Sequence, residues 1–188
     1  MAATILLGVA TREPRRLALD VRAGQFFHGR GTNLAWIFTV TGYGPTLSAT
    51  YAAFFVLALA LHRSILELCM LTLTQMLSQF SAGRLKLVFK RLRPEKWLKR
   101  QEHDSSFPSG HATTAAVTFA GIVLLVWRSS LPHDLKVAAS IPPACFALGI
   151  GWSRLVLGAH YLSDVLGGYA FGAAWLCAML AVLEGYGV

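Results

Sequence analysis

The sequence predicts an all-α fold, a polytopic membrane helical bundle of about five transmembrane helices with an N-terminal interfacial helix. Three observations point there. Hydrophobic residues make up 55% of the 188-residue chain and charged residues only 14%, against roughly 25% charged in an average soluble domain. Mean hydropathy is +0.53. The apolar residues also gather into stretches near the ~20 residues that a ~30 Å hydrocarbon core requires. A soluble chain this small has too much surface to cover with so few charges. Disorder, collagen-like repeats and a soluble disulfide scaffold are therefore excluded.

The chain divides at residue 44. Residues 1–43 are expected to form an N-terminal interfacial segment. Residues 2–10 are apolar but too short to span. Residues 12–30 mix Arg12, Arg15, Arg16, Arg22 and Arg30 with Leu17, Leu19, Val21, Phe26 and Phe27, the pattern of a helix lying in the interface plane. Residues 44–188 form the membrane domain, with spans expected at 44–61, 64–85, 110–127, 137–152 and 162–183. The fourth contains Pro142 and Pro143, which should kink it without breaking it. The fifth is studded with Gly167, Gly168, Ala170, Gly172, Ala173 and Ala174, a composition suited to close helix–helix contact. Cys69, Cys145 and Cys177 lie in apolar runs with no CxxC or Cys/His spacing. They read as small apolar residues rather than a disulfide or metal set.

Five spans bring the N-terminal tail, the loop 86–108 and the stretch 153–161 to one membrane face. Three polar clusters lie there, at 86–94, 108–111 and 153–164. In the first, Lys86 and Arg93 are seven apart, nearly two helical turns, so they are expected to share a helical face, with Pro94 stopping the helix just after. Two such cations make an anion cradle. The alternative is a snorkelling cationic rim, since Lys90, Arg91, Lys96, Lys99 and Arg100 sit alongside. In the second, Pro108, Ser109, Gly110 and His111 open a span. Glycine admits a ligand close to the backbone, and a helix N-terminus favours phosphate. The alternative is a plain helix cap with an interfacial histidine. In the third, Ser153 and Arg154 precede His160 and Asp164. A helix would place the last two, four residues apart, side by side. A carboxylate there would fix the imidazole tautomer of a nucleophilic histidine. A structural Asp–His cap is the alternative.

Together these clusters resemble the signature of the type 2 phosphatidic acid phosphatase superfamily, which includes vanadium haloperoxidases. That signature runs K-x6-RP, then PSGH, then SR-x5-H-x3-D. All eleven fixed positions are present in order and spacing, from Lys86 to Asp164. The resemblance implies a lipid phosphatase in which His160 attacks phosphorus to form a phosphohistidine, with Asp164 orienting it. It implies that His111 protonates the leaving oxygen. It also implies that Lys86, Arg93, Ser109, Gly110 and Arg154 bind the phosphate. No metal or other cofactor is expected. The substrate class implied is a phosphate or diphosphate on a lipid or polyprenyl carrier. A phosphotransferase using the same site, or a non-catalytic membrane scaffold, are the alternatives.

The 17 Lys and Arg against nine Asp and Glu give a formal +8. In a membrane protein this excess points to anionic headgroups or an anionic substrate; no nucleic-acid partner is expected. The cations crowd onto the face that carries the motifs. Without Lys86, Arg93 and Arg154, eleven remain there, against Arg63, Arg128 and Lys136 on the other. The positive-inside rule places the crowded face towards the cytoplasm of a bacterial cell membrane. The family resemblance implies an outward-facing site instead. The charge argument is followed because it uses residues present in this chain.

Overall fold

The structure, a computed structural model, describes residues 1–11, 17–60, 65–94 and 104–186. Every regular element among them is a helix. In order these are α1 (Ala2–Ala10), α2 (Ala18–Phe27), α3 (Thr32–Thr41), α4 (Gly44–Ala60) and α5 (Leu66–Phe89). Then α6 (Gly110–Ala115) passes through a π-helical turn at Ala116–Ala120 into α7 (Gly121–Arg128), followed by α8 (His133–Val156) and α9 (Leu162–Gly185). Arg12, Arg15, Arg16, the link at His62 and Arg63, and residues 95–103 lie outside the described residues.

Three helices are long and apolar enough to cross a bilayer: Gly110–Arg128, His133–Val156 and Leu162–Gly185. They correspond to the last three expected spans. The first two expected spans form α4, 17 residues long, and α5, 24 residues long. Helix α5 is less apolar than those three, and several of its polar side chains face inward. Thr74, Gln75 and Ser78 are buried, while Leu73, Met76 and Phe80 face outward. The inward amides are satisfied across the bundle. Gln75 donates to Thr114 Oγ1 at 3.0 Å, and Gln79 donates to the same oxygen at 2.8 Å. Such interhelical bonds hold helices together where water is absent. Below this ladder lies an apolar core of Tyr51, Leu71, Val117, Leu176, Met179 and Leu183.

Helix α9 crosses α6 closely because the crossing residue is Gly168. A Cβ there would stand 2.6 Å from the Ser109 carbonyl oxygen. The second motif is thereby seated on the N-terminal turn of α9. Helix α8 runs unbroken through Pro142 and Pro143. Its outward residues, Ile141 and Leu148 among them, are exposed in the isolated chain, as lipid-facing positions should be. Cys69, Cys145 and Cys177 are free and exposed rather than buried.

Helices α1, α2 and α3 pack onto the helices that carry the motifs. Helix α3 lies along α8, where Ala35 joins Val156 and Leu157 in a buried cluster. Helix α2 packs on α8 and α9, and its Asp20 is 2% exposed. Backbone bonds stitch one end of the bundle together. Gly29 N–H donates to Val156 O at 2.9 Å, Ser106 N–H to Arg91 O at 2.8 Å, and Ser109 N–H to Asp164 O at 3.1 Å.

Candidate active site

All three clusters meet at that end. Helix α5 stops at Phe89, and Lys90 takes a left-handed conformation at φ 47°. Arg93 therefore lies beyond the helix, and the expected shared helical face does not exist. Lys86 and Arg93 converge instead through Asp104. Lys86 Nζ donates to its carboxylate, Arg93 Nη2 donates to Oδ1 at 2.5 Å, and Arg93 Nε donates to its backbone carbonyl at 3.1 Å. Arg93 Nη1 also reaches Ala159 O at 3.1 Å and lies 3.2 Å from His160 Nε2.

The turn at Lys90 sends Arg91 inward. Expected among the rim cations, it is instead 3% exposed. Its guanidinium bridges two buried carboxylates, Asp164 Oδ1 at 2.5 Å and Asp20 Oδ2 at 2.8 Å. It also donates to Ser163 Oγ at 2.7 Å and stacks over the Tyr161 ring. A buried cation needs such partners, and two carboxylates with a hydroxyl supply them.

Ser109 caps α6, accepting from Ala112 N–H at 3.4 Å. Gly110 follows, its carbonyl accepting from Gln79 at 3.3 Å. The His111 ring meets Tyr43 edge-on at 5.2 Å. Its Nε2 has no hydrogen-bond partner among the described residues. The ring lies within electrostatic reach of Arg154, His160, Lys86 and Arg93. Gly42 makes room for it, since a Cβ there would fall 2.8 Å from His111 Cδ2.

Arg154 occupies the last turn of α8, fully buried, with Nη1 donating to Thr39 Oγ1 at 2.5 Å. After a turn at Gly158, φ 68°, comes His160. It precedes α9 rather than sitting on it, so the side-by-side helical pairing with Asp164 does not apply. Asp164 stands in the first turn of α9 and accepts the Tyr161 N–H at 2.8 Å. Its other partners are Arg91 and the Ser106 hydroxyl. Asp164 Oδ2 faces His160 Nδ1 at 3.6 Å, ion-pair range rather than a hydrogen bond. Burial pushes the His160 imidazolium well below its ordinary pKa, and Arg93, Arg154 and Lys86 push the same way. The ring is therefore held neutral, with Nε2 towards Arg93 and Nδ1 towards the carboxylate. Burial would raise the Asp104 carboxyl, but Lys86 and Arg93 overcome it and lower it to about 2.

Sequence reasoning missed Asp20, Thr39 and Ser106; it read Arg91 as a rim cation, and Asp104, in the loop 102–104 flanking the site, as able to tune access but more simply as part of a solvated turn. Asp20 left a weak signal, as one of two carboxylates, with Glu13, inside the basic stretch 12–30. His28, which matches no motif and reads from the sequence as solvated, lines a cavity of about 510 Å³ with Asp20, Gln25, Pro94, His160 and Tyr161. His103 lies outside the described residues. Among the described residues, no group of three or more His, Cys, Asp or Glu side chains converges as a metal set.

The model of the PAP2 superfamily matches residues 65–186, well over half the chain. The chain belongs to the PAP2 superfamily. This PAP2 protein is 44% identical over 78 residues to a lipid A 1-phosphatase of Rhizobium johnstonii, covering 42% of this chain and 28% of that protein. It is 36% identical over 89 residues to phosphatidylglycerophosphatase B of Bacillus subtilis, covering 47% of this chain and 44% of that protein. The match thus spans less than half the length of either curated relative. Its fold is shared with the crystal structure of a transmembrane PAP2 type phosphatidylglycerolphosphate phosphatase from Bacillus subtilis. The TM-score is 0.80 at 22% identity, over 97% of this chain and 92% of that one.

Proposed function

We propose that this PAP2 protein is a membrane lipid phosphatase removing a terminal phosphate from a lipid or polyprenyl carrier through a phosphohistidine. The observation that carries this reading is the setting of His160. Its ring is buried beside cations that lower its pKa, Nε2 faces Arg93 at 3.2 Å, and Nδ1 faces Asp164 at 3.6 Å. In the first step Nε2 attacks phosphorus and the P–O bond to the carrier breaks. The leaving oxygen takes a proton from His111. In the second step water attacks the phosphohistidine and gives a proton back to His111. The P–N bond breaks and phosphate leaves. Lys86, Arg93 and Arg154, with Ser109 and Gly110 at the α6 N-terminus, bind the phosphoryl oxygens. Positioned charge of this kind is usually the largest catalytic contribution. Every step uses the chain's own groups, with no metal assigned.

The lipid class rests on where these residues stand, at one end of helices apolar enough to span. The relatives' names join lipid A and phosphatidylglycerophosphate to the same family. We place the protein in a bacterial cell membrane with α4 and α5 completing five spans and the motif end towards the cytoplasm. The test is phosphate release by detergent-purified protein from phosphatidic acid, phosphatidylglycerol phosphate, undecaprenyl diphosphate and lipid A, with EDTA present. At least one should be hydrolysed, His160→Ala and His111→Ala should each retain under about 1% of the rate, and His160→Ala should form no phosphoenzyme. Substantial turnover by His160→Ala would remove the phosphohistidine from this account.

A further inference from the structure

The phosphate cradle already holds an anion of the chain's own. We propose that Asp104 is a built-in occupant of the phosphate subsite, which phosphate displaces on binding and which returns to expel the product. This rests on reading Lys86 and Arg93 as phosphate-binding.

Four observations carry it. The Asp104 carboxylate takes donors from both cations, Lys86 Nζ and Arg93 Nη2. A phosphoryl group would need those same donors. The two cations are nearly covered, with side chains 15% and 12% exposed, whereas the Asp104 side chain is 51% exposed. The acid therefore stands at the mouth of the cradle, where water can receive it once an incoming phosphoryl group replaces its bonds to the two cations. Its backbone need not move. Arg91 N–H donates to Ser105 Oγ at 2.9 Å, Ser106 N–H is tied to Arg91 O, and Arg93 Nε holds the Asp104 carbonyl. A rotation of the side chain alone withdraws the carboxylate from both cations. Finally, open space adjoins the acid, since Lys86, Arg93, Asp104 and Ser105 line a groove of about 590 Å³ on the α5 side of the cradle, into which the carboxylate can withdraw.

The arrangement answers a problem of hydrolases that make inorganic phosphate. Three fixed cations would hold that product tightly, and tight product binding slows turnover. A tethered carboxylate competes at high effective concentration, its own bonds to the cations offsetting those the phosphate loses. It also offsets part of the cradle's positive charge while no phosphate is bound.

The experiment titrates inorganic phosphate and orthovanadate into the full-length protein in detergent by calorimetry, for wild type, Asp104→Asn and Asp104→Glu. Asp104→Asn should bind both anions tighter by on the order of tenfold, about 1.4 kcal/mol. Asp104→Glu should stay near wild type. In steady-state assays Asp104→Asn should lower KM and kcat together and strengthen inhibition by phosphate. Asp104→Ser should show the same tightening and takes its place if Asp104→Asn does not purify. A residue that merely shaped the cradle would weaken anion binding on removal, so unchanged or weaker binding in these variants overturns the proposal. If the wild-type protein binds neither anion, the phosphate-binding assignment of Lys86 and Arg93 falls instead.

Discussion

His160 is 4% exposed, and its chemistry follows from what surrounds it. Burial, then Arg93, Arg154 and Lys86, hold its pKa well below the ordinary value. Attack on phosphorus needs the neutral ring, and a lowered pKa keeps the ring neutral to lower pH. The acid limb of kcat/KM due to His160 should therefore lie below the ordinary ~6.5 of histidine. A pH–rate profile, corrected for the substrate phosphate's own ionisation, checks this. A limb at the ordinary histidine value would show that the cations do not act on the ring. Arg91 makes a second prediction. Replacing it with Met leaves Asp20 and Asp164 buried without their shared counter-charge, at a cost of about 3–5 kcal/mol. Arg91→Met should lower the melting temperature sharply and abolish activity. Adding Asp20→Asn removes one of the stranded charges and should recover part of the stability but not the rate.

Among the elements, α6 and α9 set the precision of the site, and Gly168 sets their distance. Its added Cβ would meet the Ser109 carbonyl at 2.6 Å and Thr113 N at 3.2 Å. Backbone atoms cannot rotate aside, so the helices must part and carry Ser109, Gly110 and His111 with them. Gly168→Ala should destabilise by about 1–3 kcal/mol and lower kcat severalfold. Gly83 on α5 is the control, with nothing within 4 Å of its added Cβ. Gly83→Ala should leave stability equal or improve it by up to ~1 kcal/mol. A melting series with both variants separates helix propensity from the crossing. Helix α5 shows the complementary effect. Its polar residues weaken its span signal because they face Thr114 and Gly110 rather than lipid.

At the scale of the whole molecule, the question is which way the motif end faces. Arg91 must now leave the tally of rim cations, being neutralised inside the protein. Ten non-catalytic cations remain on the motif end of the sequence against three on the other. Each cation near an anionic leaflet contributes roughly 1 kcal/mol, so the bias survives. Arg30 lies at the motif end, beside the Gly29–Val156 bond, and Leu131 lies in the opposite turn between α7 and α8. Both are exposed. With the three native cysteines replaced by alanine, Leu131→Cys should react with an impermeant maleimide in intact cells and Arg30→Cys should not. The reverse pattern would turn the protein over in the membrane and leave the chemistry of His160 as proposed.

Resemblance to a family signature is what singled out His111, His160, Lys86, Arg93 and Arg154; spacing alone left a cationic rim, a helix cap and an Asp–His cap as alternatives. Apolar run length alone made the three C-terminal spans legible, because a bilayer imposes a length on any helix that crosses it. What the chain could not disclose was the company these residues keep. Lys90 turns the backbone at the end of α5, and that single turn decides that Arg91 goes inward and Arg93 reaches His160. Asp20 and Thr39 join the site from helices far away in sequence, at separations of 71 residues to Arg91 and 115 to Arg154. Local pattern carries no information about such pairs. They exist because buried charges must find partners, and only the packed bundle determines which partners are within reach.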